Sequence, residues 1–351
     1  MNTDRLVLVG PHETYNRFKG GITVYLSQMD HMLGGKYELV KVNTVTKSVK
    51  ANSRGRLTAS NIINAWKVFR ALRSECKPHD IVYWHTSYGN AMLKDLLLWR
   101  LFSFLSKGKH KIVFHWHFVP NVLYEGVHPL VVPLFKNSLR QNKYILLSQH
   151  LGEKLSPYNK NWDFVYNGNG LFQVPNNIKK EDQTAIYVGS IEERKDFLKC
   201  LDLLAMMPNY TLRVVGSFVS TDYQRVVMSR IDFLGLKDKV DFHGYVDDRH
   251  ILEELLLSSE LLLLPSRAEG LPLAVMEGAA FGCIPVISKV GSLVEIFSKD
   301  EVVWWGDDVN EIAITISGID KERYRSALHT LSLQYTIGAR AKELTRVISS
   351  L

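Results

Sequence analysis

The chain predicts an α/β protein of two Rossmann-like domains that face each other across a cleft. Three observations carry that expectation. Short apolar runs alternate with longer amphipathic ones along the whole length, the pattern of parallel sheets covered on both faces by helices. The series of runs occurs twice. A polar segment, Asn167–Thr184 (NGNGLFQVPNNIKKEDQT), separates the two copies.

In the first copy, strands are expected at Arg5–Gly10, Tyr37–Val42, Ile81–Trp84, Lys111–Trp116, Tyr144–Ser148 and Phe164–Tyr166. Helical patterns fall between them at Ile22–Met32, Ile62–Arg73 and Ala91–Leu105. The second copy supplies strands at Ala185–Gly189, Thr211–Gly216, Val240–Gly244, Leu261–Pro265 and Ile284–Ser288. Its helices are expected at Phe197–Met206, Tyr223–Leu234, His250–Leu256 and Leu273–Phe281. The last segment, Tyr324–Leu351, is helical in pattern. The expected division is 1–170 for the amino-terminal domain and 171–330 for the carboxyl-terminal one, with a terminal helix at 331–351.

A length of 351 residues suits two domains of about 150 each. With 46% hydrophobic and 23% charged residues, the chain is neither disordered nor collagen-like. The greasiest stretch, Leu93–Leu105, is broken by Lys94, Asp95 and Arg100, so no run reaches the roughly 18 apolar residues of a membrane span. MNTDRLVLVG enters a strand-like run without a basic leader, which leads us to expect a cytoplasmic protein, at most peripheral to the inner face of a membrane. Cys76, Cys200 and Cys283 lie far apart, forming neither a CxxC metal pattern nor a disulfide framework. They read as small inert residues.

The net charge of +7 is unevenly spread. Residues 1–170 hold 23 Lys and Arg against 10 Asp and Glu, whereas 171–351 hold 20 against 26. The stretch Lys36–Lys77 carries ten basic residues and two acidic ones, Glu38 and Glu75. Such a first half either meets an anionic partner or presents a solvated basic face with none. No nucleic-acid motif is recognisable, so nucleic acid is not the expected partner. Ile62–Arg73 puts Ile62, Trp66 and Phe69 on one side with Lys67, Arg70 and Arg73 nearby, as in an interfacial helix. The competing reading packs that apolar side on the sheet.

Ligands of open α/β sheets bind beyond the carboxyl ends of the strands, so motifs just after strands matter most. PSRAEGLPLAVMEGAAFGCIPVI (Pro265–Ile287) reads as strand, loop and helix, with Pro272 at or just before the first helical turn. The loop Glu269–Gly270–Leu271 then brings backbone N–H groups to a helix N-terminus, which suits a phosphate. Glu269 and Glu277 would repel a phosphate but can accept hydrogen bonds from the hydroxyls of sugars and riboses. The competing reading is an amphipathic helix with solvated glutamates.

The spacing of Glu269 and Glu277 within this motif, followed by Val290–Gly291–Ser292, resembles the signature of the family 4 retaining glycosyltransferases of the GT-B fold. The resemblance extends to YVGSIEERKDFLKCLDLL (Tyr187–Leu204), to VDFHGYVDDRHILEELLLSSELLLLPS (Val240–Ser266), to KGGITVYL (Lys19–Leu26) and to VYNGNG (Val165–Gly170). It is strongest over residues 185–295 and looser over 1–170. It implies that Glu277 holds ribose hydroxyls and that Glu269, one of two catalytic residues, hydrogen-bonds the donor sugar. Gly270, Leu271 and Pro272 would frame the sugar and diphosphate, and Lys195 would pair with the diphosphate. Where the family carries an arginine, this chain has Ser190; Arg194 either supplies the missing charge or points to solvent. Tyr245 and Val246 would meet the base, while Gly20 and Gly21 would allow close approach of backbone to phosphate or sugar. His117 of FHWHF matches the family's active-site histidine, with His115 as neighbour and rival. Two histidines alone are too few ligands for a metal site, and no metal is expected.

The implied reaction is metal-independent transfer of a sugar, with retention, from a UDP- or GDP-linked donor to a saccharide or lipid-linked acceptor in surface polysaccharide or glycolipid synthesis. No cofactor beyond the donor is called for. Cations and a helix N-terminus would carry the leaving diphosphate. No Asp-X-Asp triplet occurs, and no GxGxxG fingerprint of a dehydrogenase. An epimerase on the same scaffold and a catalytically silent sugar-nucleotide binding protein are the alternatives.

Overall fold

The computed structural model describes residues 4–12, 20–45, 59–120, 122–140, 142–176, 178 and 180–351. Contacts divide the chain into two compact units, one of residues 1–167 and 337–351, the other of Gly168–Thr336. Lys19 of the expected glycine loop and residues 46–58 of the basic stretch lie outside the described residues.

The first unit is built from β1 (Arg5–Gly10), α1 (Gly21–Leu33), β2 (Glu38–Asn43), α2 (Ala59–Glu75), β3 (Ile81–Thr86), α3 (Gly89–Leu105), β4 (Lys111–Trp116), α4 (Val132–Ser138), β5 (Lys143–Leu146), α5 (Gln149–Leu155) and β6 (Trp162–Phe164). Among the described residues its strands form a parallel sheet in the order β2-β1-β3-β4-β5-β6. Every residue of β3 is buried, as expected of a strand covered on both faces. Trp84, Phe114, Trp116 and Tyr144 pack in its core, and burying each contributes roughly 1.5–3 kcal/mol. The β3–β4 register sets His85 opposite His115 and Thr86 opposite Trp116. The short helices α4 and α5, seven residues each, were not expected, because so few turns show little periodicity.

The second unit comprises β7 (Thr184–Val188), α6 (Phe197–Met206), β8 (Thr211–Val215), α7 (Thr221–Leu234), β9 (Val240–Gly244), α8 (Arg249–Ser258), β10 (Leu261–Leu264), α9 (Leu273–Ala280), β11 (Ile284–Ile287), α10 (Leu293–Ile296), β12 (Val303–Trp304), α11 (Val309–Gly318) and α12 (Lys321–Leu333). Its sheet is also parallel, in the order β12-β11-β10-β7-β8-β9. The strand order reverses at β7, which is flanked by β8 and β10. The loops after β7 and β10 therefore leave the sheet side by side, where such sheets place their ligands.

The helical pattern expected over Tyr324–Leu351 falls on two helices, α12 and α13 (Ile337–Ser349), and the terminal helix expected at 331–351 is α13. At the break, Asn169 takes the carbonyls of Tyr335 and Ser332 through its backbone N–H and Nδ2, both at 2.9 Å. α13 packs on α1 within the first unit, burying Leu344, Val347 and Ile348. No helix among the described residues is long and apolar enough to cross a membrane.

Candidate functional site

In the second unit, the loop after β7 and the loop after β10 are clamped together. The first contains a 3₁₀ turn, Glu193–Lys195, followed by Asp196 in the left-handed region at φ 52°. The Arg267 N–H donates to the Arg194 carbonyl at 2.9 Å, and Arg194 Nη1 donates to the Ala268 carbonyl at 2.5 Å. Arg267 also reaches Asp196 through Nε and Nη2, at 3.1 and 3.0 Å.

This clamp seats Glu269. Its Oε1 accepts from Ser266 Oγ at 2.9 Å and faces Lys195 Nζ and Arg194 Nη1, each at 3.3 Å. Burial alone would raise its carboxyl. Lys195, then Arg194, with the Ser266 hydrogen bond, outweigh burial and hold it below the usual carboxylate range. Glu269 is a half-buried carboxylate, its side chain 12% exposed, set between two cations.

The backbone that carries Glu269 is pinned from the side. Gly291 sits at φ 57°, and a Cβ there would come within 2.5 Å of the Glu269 carbonyl and 2.2 Å of the Gly270 carbonyl. The Ser292 N–H donates to the Gly270 carbonyl at 2.9 Å. Leu271 is buried, and Pro272, with φ −68°, caps α9. The Gly291–Ser292 pair downstream of the two glutamates thus holds the loop closed against the sheet.

Glu277 lies inside α9 and is buried, and Glu269 is only 12% exposed, so the reading of two solvated glutamates does not hold. Its Oε1 accepts from Arg249 Nη1 of α8 at 2.7 Å, and Arg249 Nε donates to Glu253 at 2.7 Å. Burial pushes the Glu277 carboxyl up, and Arg249 only partly offsets it. The two acids share a helix and its leading loop yet are tuned in opposite directions.

Ser190 stands close by. Its Oγ donates to Glu192 Oε1 at 2.9 Å, the oxygen that also accepts from Arg194 Nη2 at 2.8 Å. Arg194 therefore turns toward Glu192 and Glu269 while keeping 38% of its side chain exposed. Tyr245 and Val246 follow β9 and are half-buried. Gly189 and Gly216 directly follow β7 and β8, and Gly244 ends β9, all with positive φ. Gly216 is required by the fold, since a Cβ would sit 1.8 Å from the Gly189 carbonyl. A Cβ on Gly189 would meet Lys195 Nζ at 2.9 Å, so that glycine makes room for the lysine head.

In the first unit, Gly20 caps α1 and Gly21 begins it. Neither needs a positive φ, and a Cβ on either meets nothing within 4 Å, so the packing does not demand glycine at these positions. His117 follows β4, its N–H donating to the Thr86 carbonyl at 3.0 Å. Its ring stacks on His115, centroids 4.0 Å apart, and lies against the Tyr25 ring at 5.0 Å. Parallel pairing brings a third histidine, His85 of β3, which the local sequence did not reveal. His85 Nδ1 and His117 Nε2 are 2.8 Å apart, and His115 Nδ1 lies 2.9 Å from Tyr83 Oη. Burial lowers all three imidazoles, His117 to about 3.

These three histidines are the one group among the described residues with nitrogens close enough to consider for a metal, all within 4.8 Å. The count of two ligands expected from FHWHF is thus corrected to three. Two of the nitrogens face each other at hydrogen-bond distance, 2.8 Å, and the His115 and His117 rings are stacked. The arrangement is that of a hydrogen-bonded imidazole pair.

The expected apolar side of α2 also needs correction. Val68, Phe69 and Leu72 are buried in the core, while Ile62, Ile63 and Trp66 remain 62%, 54% and 57% exposed. Phe69 faces inward because the helix turns its 68–69–72 side to the sheet. Its ring edge still joins Trp66, Arg70, Arg73 and Ser74 around a shallow open cavity of about 350 Å³. Of the cysteines, Cys200 and Cys283 are buried and Cys76 half-buried.

Glu192, Asp196, Arg249, Arg267 and His85 escaped the sequence reading. Only the Arg249–Glu253 spacing of four residues had a local signature.

Residues 171–323 match the family model described as glycosyl transferases group 1. A capsular polysaccharide biosynthesis glycosyltransferase, CapH of Staphylococcus aureus, is 29% identical over 177 residues, 48% of each chain. The aligned part thus spans about half the length of that relative. A GDP-mannose-dependent phosphatidylinositol dimannoside mannosyltransferase of Mycobacterium tuberculosis is 38% identical over 61 residues, 17% of this chain and 16% of its own. The Anabaena protein Alr3699/HepE, solved in complex with UDP-glucose, aligns with 99% of this chain and 100% of its own, at a TM-score of 0.74 and 16% identity. That structural likeness shows a shared fold. The second unit thus matches the glycosyl transferases group 1 over residues 171–323, and the two parallel α/β sheets are the fold the chain shares with that Anabaena protein.

Proposed function

We propose that the protein moves a sugar from a nucleotide-diphosphate sugar to an acceptor hydroxyl with retention of anomeric configuration. The observation that carries this reading is the half-buried Glu269 carboxylate held between Lys195 and Arg194 where the loops after β7 and β10 meet. A diphosphate that loses its sugar gains negative charge. Lys195, Arg194 and the N-terminus of α9 can stabilise that charge as it develops, an effect worth far more in a site shielded from water. Glu269 cannot bind the phosphate. It accepts hydrogen bonds from the sugar hydroxyls as Lys195 turns to the diphosphate, while Gly270, Leu271 and Pro272 frame the sugar.

Glu277 receives the ribose hydroxyls, and Tyr245 and Val246 line the base. Ser190 and Glu192 keep Arg194 in place. In the first unit, His117 hydrogen-bonds the donor sugar, and Gly20 and Gly21 leave room for it. The donor is UDP- or GDP-linked, in keeping with the UDP-glucose complex of HepE and the GDP-mannose dependence of the mycobacterial relative. The acceptor is a saccharide or a lipid-linked saccharide of surface polysaccharide or glycolipid synthesis, in keeping with the capsular relative.

The basic first half and the exposed Ile62, Ile63 and Trp66 beside Arg70 and Arg73 suit binding to an anionic membrane surface. The enzyme then works at the inner face of the membrane. A panel of UDP- and GDP-sugars, screened for thermal stabilisation and then for transfer, tests the reading, with the anomeric configuration of the product read by NMR. Transfer with retention, lost in Glu269→Gln, is expected. Donor turnover without any acceptor would instead indicate an epimerase or a hydrolase.

A further inference from the structure

The hydrogen bond between His85 and His117 fixes more than the position of a ring. His85 is 3% exposed, its Nδ1 lies 2.8 Å from His117 Nε2, and its Nε2 is buried with no partner. A neutral imidazole has one N–H and one bare nitrogen. If the proton sat on Nε2, a buried N–H would be orphaned, which is costlier and rarer than an orphaned lone pair. The proton therefore sits on Nδ1 of His85 and is donated to His117 Nε2. His117 must accept there, so its own proton sits on Nδ1, a nitrogen not among the buried orphans.

His115 obeys the same logic. Its Nε2 is a buried orphan and its Nδ1 lies 2.9 Å from Tyr83 Oη, so the Nδ1–H tautomer places its proton in a hydrogen bond. The His115 ring then forms a neutral, immobile plate under His117. Tyr25 closes the other approach, its ring packed against all three imidazoles. His117 can neither rotate nor exchange its tautomer without breaking the bond to His85.

We infer that His85 is a positioning residue that locks His117 as the Nδ1–H tautomer, so that His117 offers a hydrogen-bond donor to an oxygen of the bound sugar. The consequence for the sugar rests on the reading of His117 as a donor-site residue; the lock itself does not. A hydroxyl placed against that N–H must accept and must give its own proton elsewhere. The site thereby distinguishes a hydroxyl oxygen from a group that can only donate, such as the ammonium of an amino sugar.

Two measurements on the full chain test the lock. Imidazole nitrogen NMR of the wild type, with His117 assigned through His117→Gln, is expected to show a protonated, pyrrole-type Nδ1 and a bare, pyridine-type Nε2. His85→Leu is expected to release the ring, with Nε2–H appearing on His117 and kcat falling roughly tenfold or more at little change in donor KM. His85→Asn, whose amide N–H can reach the place of Nδ1–H, is expected to recover most of that kcat and the original tautomer. A bare Nδ1 on His117 in the wild type, or a tautomer indifferent to His85→Leu, overturns the proposal. Should no sugar be transferred by a wild type that carries the Nδ1–H tautomer, the glycosyltransferase reading falls and the lock is supported on its own.

Discussion

The two units share a six-stranded parallel plan among the described residues and treat their polar residues in opposite ways. In the second unit the acids beyond the strands pair with cations: Glu269 with Lys195 and Arg194, Glu277 with Arg249, Asp196 with Arg267. In the first, His85, His115 and His117 meet one another and two tyrosines, and burial keeps them neutral. A buried charge needs a counter-charge, whereas a buried imidazole sheds its proton. One arrangement suits a ligand that gains charge as it leaves. The other suits uncharged hydroxyls.

The contrast breaks most sharply at Lys195. Lys195→Ala removes one of the two cations facing Glu269, and, on the proposed role of Lys195 at the diphosphate, kcat should fall by about 10²–10³-fold in a transfer assay. A loss below tenfold in a folded variant would assign the charge stabilisation elsewhere. Gly216→Ala should be the costliest change to the fold in the second unit. The added Cβ meets the Gly189 carbonyl at positive φ, and urea unfolding should report a loss of about 2–3 kcal/mol.

Acid sharpens the comparison. The three histidines have folded pKa values depressed below the unfolded value near 6.5, so their stability is present above that pH and lost as pH falls toward the folded values, about 3 for His117. Each one still neutral costs about 1.4 kcal/mol per pH unit over that window. Glu269, also depressed, contributes stability that is full above the ordinary carboxylate value and is lost as pH falls through that value toward its lower folded one. Hydrogen exchange between pH 7 and 5 should therefore show first-unit amides opening before second-unit ones, and equal loss in both units would contradict the contrast. Glu277 runs the other way, its raised pKa favouring the fold below the unfolded value and losing that contribution as pH rises. Arg249→Ala should deepen this loss by about 1–2 kcal/mol at pH 7, discounted for the partial exposure of the arginine. Glu277→Gln in the same chain should recover most of it.

The smallest expected effect concerns α2. Trp66→Ala, at an exposed position, should change stability by less than about 0.5 kcal/mol. The same change should weaken flotation with anionic liposomes, and flotation indifferent to both Trp66 and anionic lipid would remove the membrane from the proposal.

Much of this was legible without coordinates. The alternation of apolar runs gave the strand and helix series, and Glu269, Pro272 and Glu277 fell on the loop and helix that their spacing implied. What the sequence by itself determined is local: periodicity, strand-to-helix loops and the proline at a helix start all act within a few residues. Only the tertiary structure decided the partners. Arg249 finds Glu277 across 28 residues, His85 finds His117 across 32 and Arg267 finds Asp196 across 71, because parallel strands return through helices and set distant loops side by side. It likewise decided which face of α2 is buried and in which direction each glutamate's pKa moves, since both depend on what surrounds a side chain, and one-dimensional spacing does not encode that.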